Sequence, residues 1–103
     1  MKEGIINLIK SSPISKSAGY YTVYCAGKFI LKYNLHVDYV WVADMNDNEY
    51  IRLRDLLPEE SHIRDFNEIT RCIRDQYNKK DEAEKERFIN GVKEIFESFR
   101  PID

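Results

Sequence analysis

The spacing of apolar residues changes once along the chain, and that change limits what it can fold into. Over residues 20–53 apolar and β-branched side chains alternate, as in "YYTVYCA", "KFILKYN" and "VDYVWVA". A period of two sends successive side chains to opposite faces of a strand. From Ile63 onward the spacing becomes three and four, so Ile63, Phe66, Ile69, Ile73 and Tyr77 line one side of an amphipathic helix. Strands in one block and helices in another predict an α+β fold, with helices laid on a sheet.

The strands are expected at 20–26, 28–34 and 37–43, with a fourth, at an edge, over 49–53. Their connections are short, and Gly27 suits a tight turn, so the strands should form an antiparallel meander of three to four strands. A short helix over 2–12 precedes them, with Ile5, Ile6, Leu8 and Ile9 on one face and Pro13 at its end. Residues 11–19, "SSPISKSAG", read as a polar loop.

The charged run "YNKKDEAEKE" reads as a break between two C-terminal helices. Asp81 and Glu84 match a capping box for the second of them. That last helix carries Phe88, Ile89, Val92, Ile95, Phe96 and Phe99 on one face, and Pro101 should stop it. Gly91 in its middle is unfavourable by about 1 kcal/mol relative to Ala. The expected architecture is one domain over 1–103: a short N-terminal helix, the meander, and two C-terminal helices packed on it.

Both faces of the meander carry apolar groups. One is expected to hold Tyr21, Val23, Cys25, Phe29, Leu31, Tyr33, Tyr39 and Trp41, and to be the core side. The other is expected to hold Tyr20, Tyr24, Ile30, Val40 and Val42, with Lys28 and Lys32 among them. Such a mixed face is either half covered by a helix or a contact surface.

Little in the sequence points to chemistry. The stretch "DMNDNEYIRLRD" opens like an EF-hand loop, with Asp44, Asn46 and Asn48 at its first, third and fifth positions. It has Glu49 where that loop needs a glycine and Asp55 where it needs a bidentate glutamate, and a strand precedes it. A hairpin turn is expected instead, because Asp and Asn accept local backbone hydrogen bonds and tolerate left-handed backbone. Cys25, Cys72, His36 and His62 show no zinc-ligand spacing, so no metal is expected. Each cysteine suits the role of a small buried hydrophobe. The serines of residues 11–17 have no nucleophile-elbow glycines around them. The four glycines are scattered and form no phosphate cradle, so neither enzymatic activity nor a cofactor is expected.

The charge balance is even, with 16 basic and 18 acidic residues and a net charge of −2. No global positive field favours nucleic acid. No apolar run reaches the roughly 18 residues of a membrane span, and no secretory signal is visible, so a cytoplasmic setting is expected. The abundance of Ile, Asn, Lys and Tyr suits an AT-rich genome, such as that of a phage or mobile element. Aromatic residues make up 13% of the chain, and Tyr, Trp and Arg are common interface anchors.

The expected function is that of a small non-catalytic binding protein, an inhibitor or adaptor, acting through contact with another protein. Its candidate surface combines Tyr20, Tyr24, Lys28 and Lys32 with Tyr50 and Arg52 at the sheet edge. Nucleic acid on the same face is the alternative. The stripe of the last helix is expected to pack inside the fold, although it is long enough to serve a homodimer.

Overall fold

The structure, a computed structural model, describes residues 1–99. Its element order is α1 (Lys2–Ser11), β1 (Ile14–Ser17), β2 (Tyr20–Cys25), β3 (Phe29–Asn34), β4 (Tyr39–Asp44), β5 (Glu49–Arg52), a 3-10 turn (Leu53–Leu56) and α2 (His62–Ser98). The five strands form one antiparallel sheet in chain order. The α+β class and the meander are as expected. The strand and helix counts differ from expectation.

The additional strand is β1, which lies within the expected polar loop. Its sequence, "ISKS", has only one apolar residue, so period and propensity give little signal. Pairing with β2 forms it: Ile14 sits opposite Val23 and Ser17 opposite Tyr20. Two residues, Ala18 and Gly19, then make the hairpin turn, both at positive φ. This pairing of signs is what a two-residue turn needs to match the twist of the strands. Gly19 is also hemmed in, since a Cβ there would lie 2.5 Å from His36 Nε2.

The second difference is that one helix replaces the expected two. α2 runs 37 residues without interruption. The charged run "YNKKDEAEKE" loses the apolar period but consists mostly of strong helix formers and holds neither Gly nor Pro. Asp81 and Lys85 add an ion pair one turn apart, at 3.1 Å. Asp81 and Glu84 therefore lie inside the helix and cap nothing. Pro101 lies outside the described residues.

The core lies between the inner sheet face and the helices. Ile9 of α1, Tyr21, Val23 and Cys25 of β2, Leu31 and Tyr33 of β3, Val40 of β4, Leu53 and Leu57, and Ile69 and Ile73 of α2 form one buried cluster. Tyr21 stacks on Tyr33 at 6.0 Å and meets Tyr77 edge-on at 5.3 Å. Val40 and Val42 thus face the core, and Tyr39 and Trp41 face away from it, the reverse of the expected assignment. Register decides this: Tyr33 pairs with Val40 and Leu31 with Val42, and directly paired residues share a face. A four-residue turn, 35–38, sets that register.

Polar ties fix the helices. Lys2 reaches Glu68 at 2.9 Å, joining α1 to α2. Arg74 donates to the Tyr33 hydroxyl, which donates in turn to Asp38 Oδ1 at 2.7 Å. Lys80 donates to the carbonyl of Ser12. Past Asp81 the helix leaves the body. The molecule measures 71 × 28 × 25 Å with a radius of gyration of 18.3 Å, against about 13 Å for a compact chain of 100 residues.

Candidate functional site

Two surfaces stand out. The first is the outer sheet face, where β2 contributes Tyr20, Thr22 and Tyr24, β3 contributes Ile30, Lys32 and Asn34, β4 contributes Tyr39 and Trp41, and β5 contributes Arg52. Tyr20 accepts a hydrogen bond from Asn34 Nδ2 at 3.2 Å, and the Tyr24 hydroxyl lies 3.2 Å from Ser15 Oγ. Tyr39 and Trp41 meet edge-on, 6.2 Å between centroids.

Four of the six expected contact residues, Tyr20, Tyr24, Lys32 and Arg52, are brought together here. Lys28 is not on the face; it is exposed in the 26–28 turn, since β3 begins at Phe29. Tyr50 sits where the β4–β5 register shifts, and its hydroxyl donates to Asp44 Oδ2 at 3.2 Å. Tyr39 and Trp41 join this face instead of the core face expected for them, because alternation alone does not say which side of β4 faces inward and the register does.

The face offers little free positive charge. Lys32 Nζ lies 5.0 Å above the Tyr20 ring and is held by Asp47 Oδ1 at 2.9 Å and Glu49 Oε1 at 3.2 Å. Its side chain is only 15% exposed. The hydrogen bond to Asp47 leads in raising its pKa, with Glu49 adding to it. Arg52 lies 5.7 Å from the Tyr39 ring and pairs with Asp55 at 3.1 Å. A phosphate backbone would have to displace these carboxylates, which weighs against nucleic acid on this face.

The 44–48 turn beside it has a definite architecture. Asp44 Oδ1 accepts the backbone N–H groups of Asn46 and Asn48, both at 2.9 Å. Its Oδ2 accepts from Asn48 Nδ2 at 3.0 Å and from the Tyr50 hydroxyl. The carboxylate that would lead a calcium loop is thus the hub of a hairpin turn, with Asp47 at φ 71°. The Asn48 side-chain hydrogen bond, followed by that of its backbone, holds the Asp44 pKa below the ordinary 3.8. A depressed carboxylate stabilises the fold above its unfolded pKa, and this is lost as pH falls through the folded value. Carboxyl-detected NMR should therefore place the Asp44 midpoint below 3.8, with the Asn46 and Asn48 amides shifting together; a midpoint at or above 3.8 would mean the hub does not form.

The second surface is one for which the sequence favours an internal core and offers a dimer contact as the alternative. Along the part of α2 that leaves the body, Phe88, Phe96 and Phe99 are 74%, 72% and 81% exposed, and Ile89 and Ile95 are about half exposed or more. Val92 is half-buried between them. This is the stripe expected to pack inside the fold. The charged run carries the helix past the end of the sheet, so nothing in the body reaches it. A contiguous apolar patch of this size lies at the upper end of what monomeric proteins leave to water, where such patches are often functional.

The remaining features have local structural roles. Cys25 is buried in the core, and burial raises its thiol pKa; burial does the same to the partly buried Cys72. A groove of about 370 Å³ is lined by Val37, Asp38, Tyr39, Arg54, His62 and Phe66, among others. In it Asp38 accepts from Tyr33, and His62 Nδ1 lies 2.8 Å from the Glu59 carbonyl. Among the described residues no three His, Cys, Asp or Glu side chains cluster to hold a metal. None of the described helices is long and apolar enough to cross a membrane. Compared with known proteins, the chain matches no family model, no curated protein and no solved structure.

Proposed function

We propose that this is a non-catalytic protein that acts through protein–protein contact, as an intracellular inhibitor or adaptor would. The observation that carries the proposal is the helical stripe from Phe88 to Phe99, held away from the body and exposed to water. Phenylalanines with isoleucine neighbours on a rigid helix are suited to a helix-in-groove or helix-on-helix contact. The polar side of this segment favours a protein over a lipid surface. Residues 79–98 carry five basic and six acidic side chains, whereas helices that lie on membranes are rich in Lys and Arg on their polar face. The outer sheet face, with Tyr20, Tyr24, Tyr39, Trp41 and Arg52, is proposed as a second, flatter contact area.

The test is capture from extract with the wild-type chain and with Phe96→Asp as baits, each with and without nuclease. A protein held by the wild type, lost with Phe96→Asp and indifferent to nuclease is the expected result. Capture that nuclease abolishes, or that Phe96→Asp leaves intact, would remove the helix from this role.

A further inference from the structure

We infer that the stripe's partner is a second copy of this chain, joined tail to tail by antiparallel pairing of the two projecting helices. This rests on the proposal that the stripe is a protein contact, and it names the occupant.

Phe88, Val92, Ile95 and Phe99 are spaced four, three and four residues apart. That is the d-a-d-a order of a coiled-coil seam, with Ile89 and Phe96 at the flanking e positions. In an antiparallel pair each a residue layers against a d residue of the other helix. If the two-fold axis passes between Lys93 and Glu94, the layers are Phe88 on Phe99, Val92 on Ile95, and their symmetry mates. Large then meets large, and medium meets medium. The e flank brings Ile89 towards Phe96 of the other copy. The g flank holds only Gly91 and Ser98, so the backbones can approach closely there. Gly91 has open space around its Cα, with nothing inside the monomer to explain its place in a helix interior. A stripe that complements itself in this way fulfils the condition for a two-fold interface.

Other arrangements are worse. A parallel pair at the same heptad phase would continue upstream by setting Lys85 on Lys85 and Asp81 on Asp81. Sliding the antiparallel pair by one heptad towards the bodies would set those same two charges against Ile95 and Phe99. Sliding it the other way would carry Phe88 and Val92 past Phe99 of the other copy, the last described residue of its seam. Among the described residues, only the central register covers all four seam residues with apolar partners.

The area is also adequate. Three phenylalanines about three-quarters exposed and two half-exposed isoleucines offer about 600 Å² per copy, or about 1,200 Å² in total. Covered in full, that reaches the lower limit of stable, specific interfaces.

Sedimentation velocity from low to several hundred micromolar tests the association, and small-angle scattering tests the orientation. The mass should rise with concentration towards twice 12.3 kDa. The largest dimension should reach roughly 120 Å, since two 71 Å bodies overlap by only about 18 Å of helix. Ile95→Asp should weaken association at least about 100-fold with circular dichroism unchanged, while Glu94→Ala, on the opposite side of the helix, should leave it intact. A monomer at every concentration would overturn the inference, as would a dimer near 71 Å long or one indifferent to Ile95→Asp. If the chain stays monomeric yet captures another protein through Phe96, only the self-pairing fails. If it neither self-associates nor captures, the contact role fails with it.

Discussion

Ile69→Ala should lower stability by about 2–5 kcal/mol, the range for removing a large aliphatic side chain from a packed interior. Phe96→Ala, further along the same helix, should change the unfolding free energy of the monomer by no more than about 0.5 kcal/mol. The two residues look alike in sequence, since both sit in three-and-four stripes. Ile69 is fully buried, in the cluster that joins α1, the sheet and α2. Phe96 is 72% exposed, on the part of α2 that leaves the body. Denaturant melts at a concentration low enough to keep the chain monomeric should separate the two clearly. If Phe96→Ala destabilised the monomer as strongly as Ile69→Ala, the stripe would be packing on the body and could not be a contact surface.

Ala83→Pro should have the larger effect on shape. Proline inside a helix removes one backbone hydrogen bond and clashes with the preceding turn, an effect of about 3 kcal/mol. Residue 83 is exposed and lies beyond the tie from Lys80 to Ser12, in the charged stretch. The helix beyond it would then have to form alone, and isolated helices of about 15 residues are marginal in water. About a third of the α-helical circular dichroism should vanish while the body keeps its melting transition, because its core ends near Tyr77. Self-association should disappear with it. Two separate helices with a natural break at this point would tolerate the proline, so an unchanged spectrum would argue for the break and against the single helix.

That contrast also marks what the sequence makes legible. Period alone identifies the class, the meander and both helical stripes, because burial imposes a pattern on residues such as Val23, Leu31, Ile69 and Ile73. It fails for β1, where "ISKS" becomes a strand only because β2 offers a partner. It fails again at "YNKKDEAEKE", where a solvated helix has no apolar period, and only propensity separates it from a loop. The inversion of Tyr39 and Trp41 with Val40 and Val42 has another cause. Alternation divides a strand into two sets but does not say which set faces inward, and the turn at 35–38 settles that. The candidate surfaces were therefore only half visible. Tyr20, Tyr24, Lys32 and Arg52 do gather on one face, but the ion pairs that hold Lys32 come from Asp47 and Glu49, 15 and 17 residues away. The exposure of the Phe88 to Phe99 stripe depends on where the body ends, which no local pattern records.

The strict chain order of the sheet has a kinetic consequence. Each strand pairs with the next across a turn of two to four residues, so the entropy lost in closing each hairpin is small. Rates fall as contacts become more distant along the chain, and here the distant contacts are those that bring Ile9 to Ile69 and Ile73. The meander carries α1 at one of its edges and α2 at the other. Once its hairpins have zipped, the two helices are already tethered on either side of a preformed floor, and the search that joins them is short. The expected order is therefore sheet first and clasp last, with the outer half of α2 taking no part in the barrier.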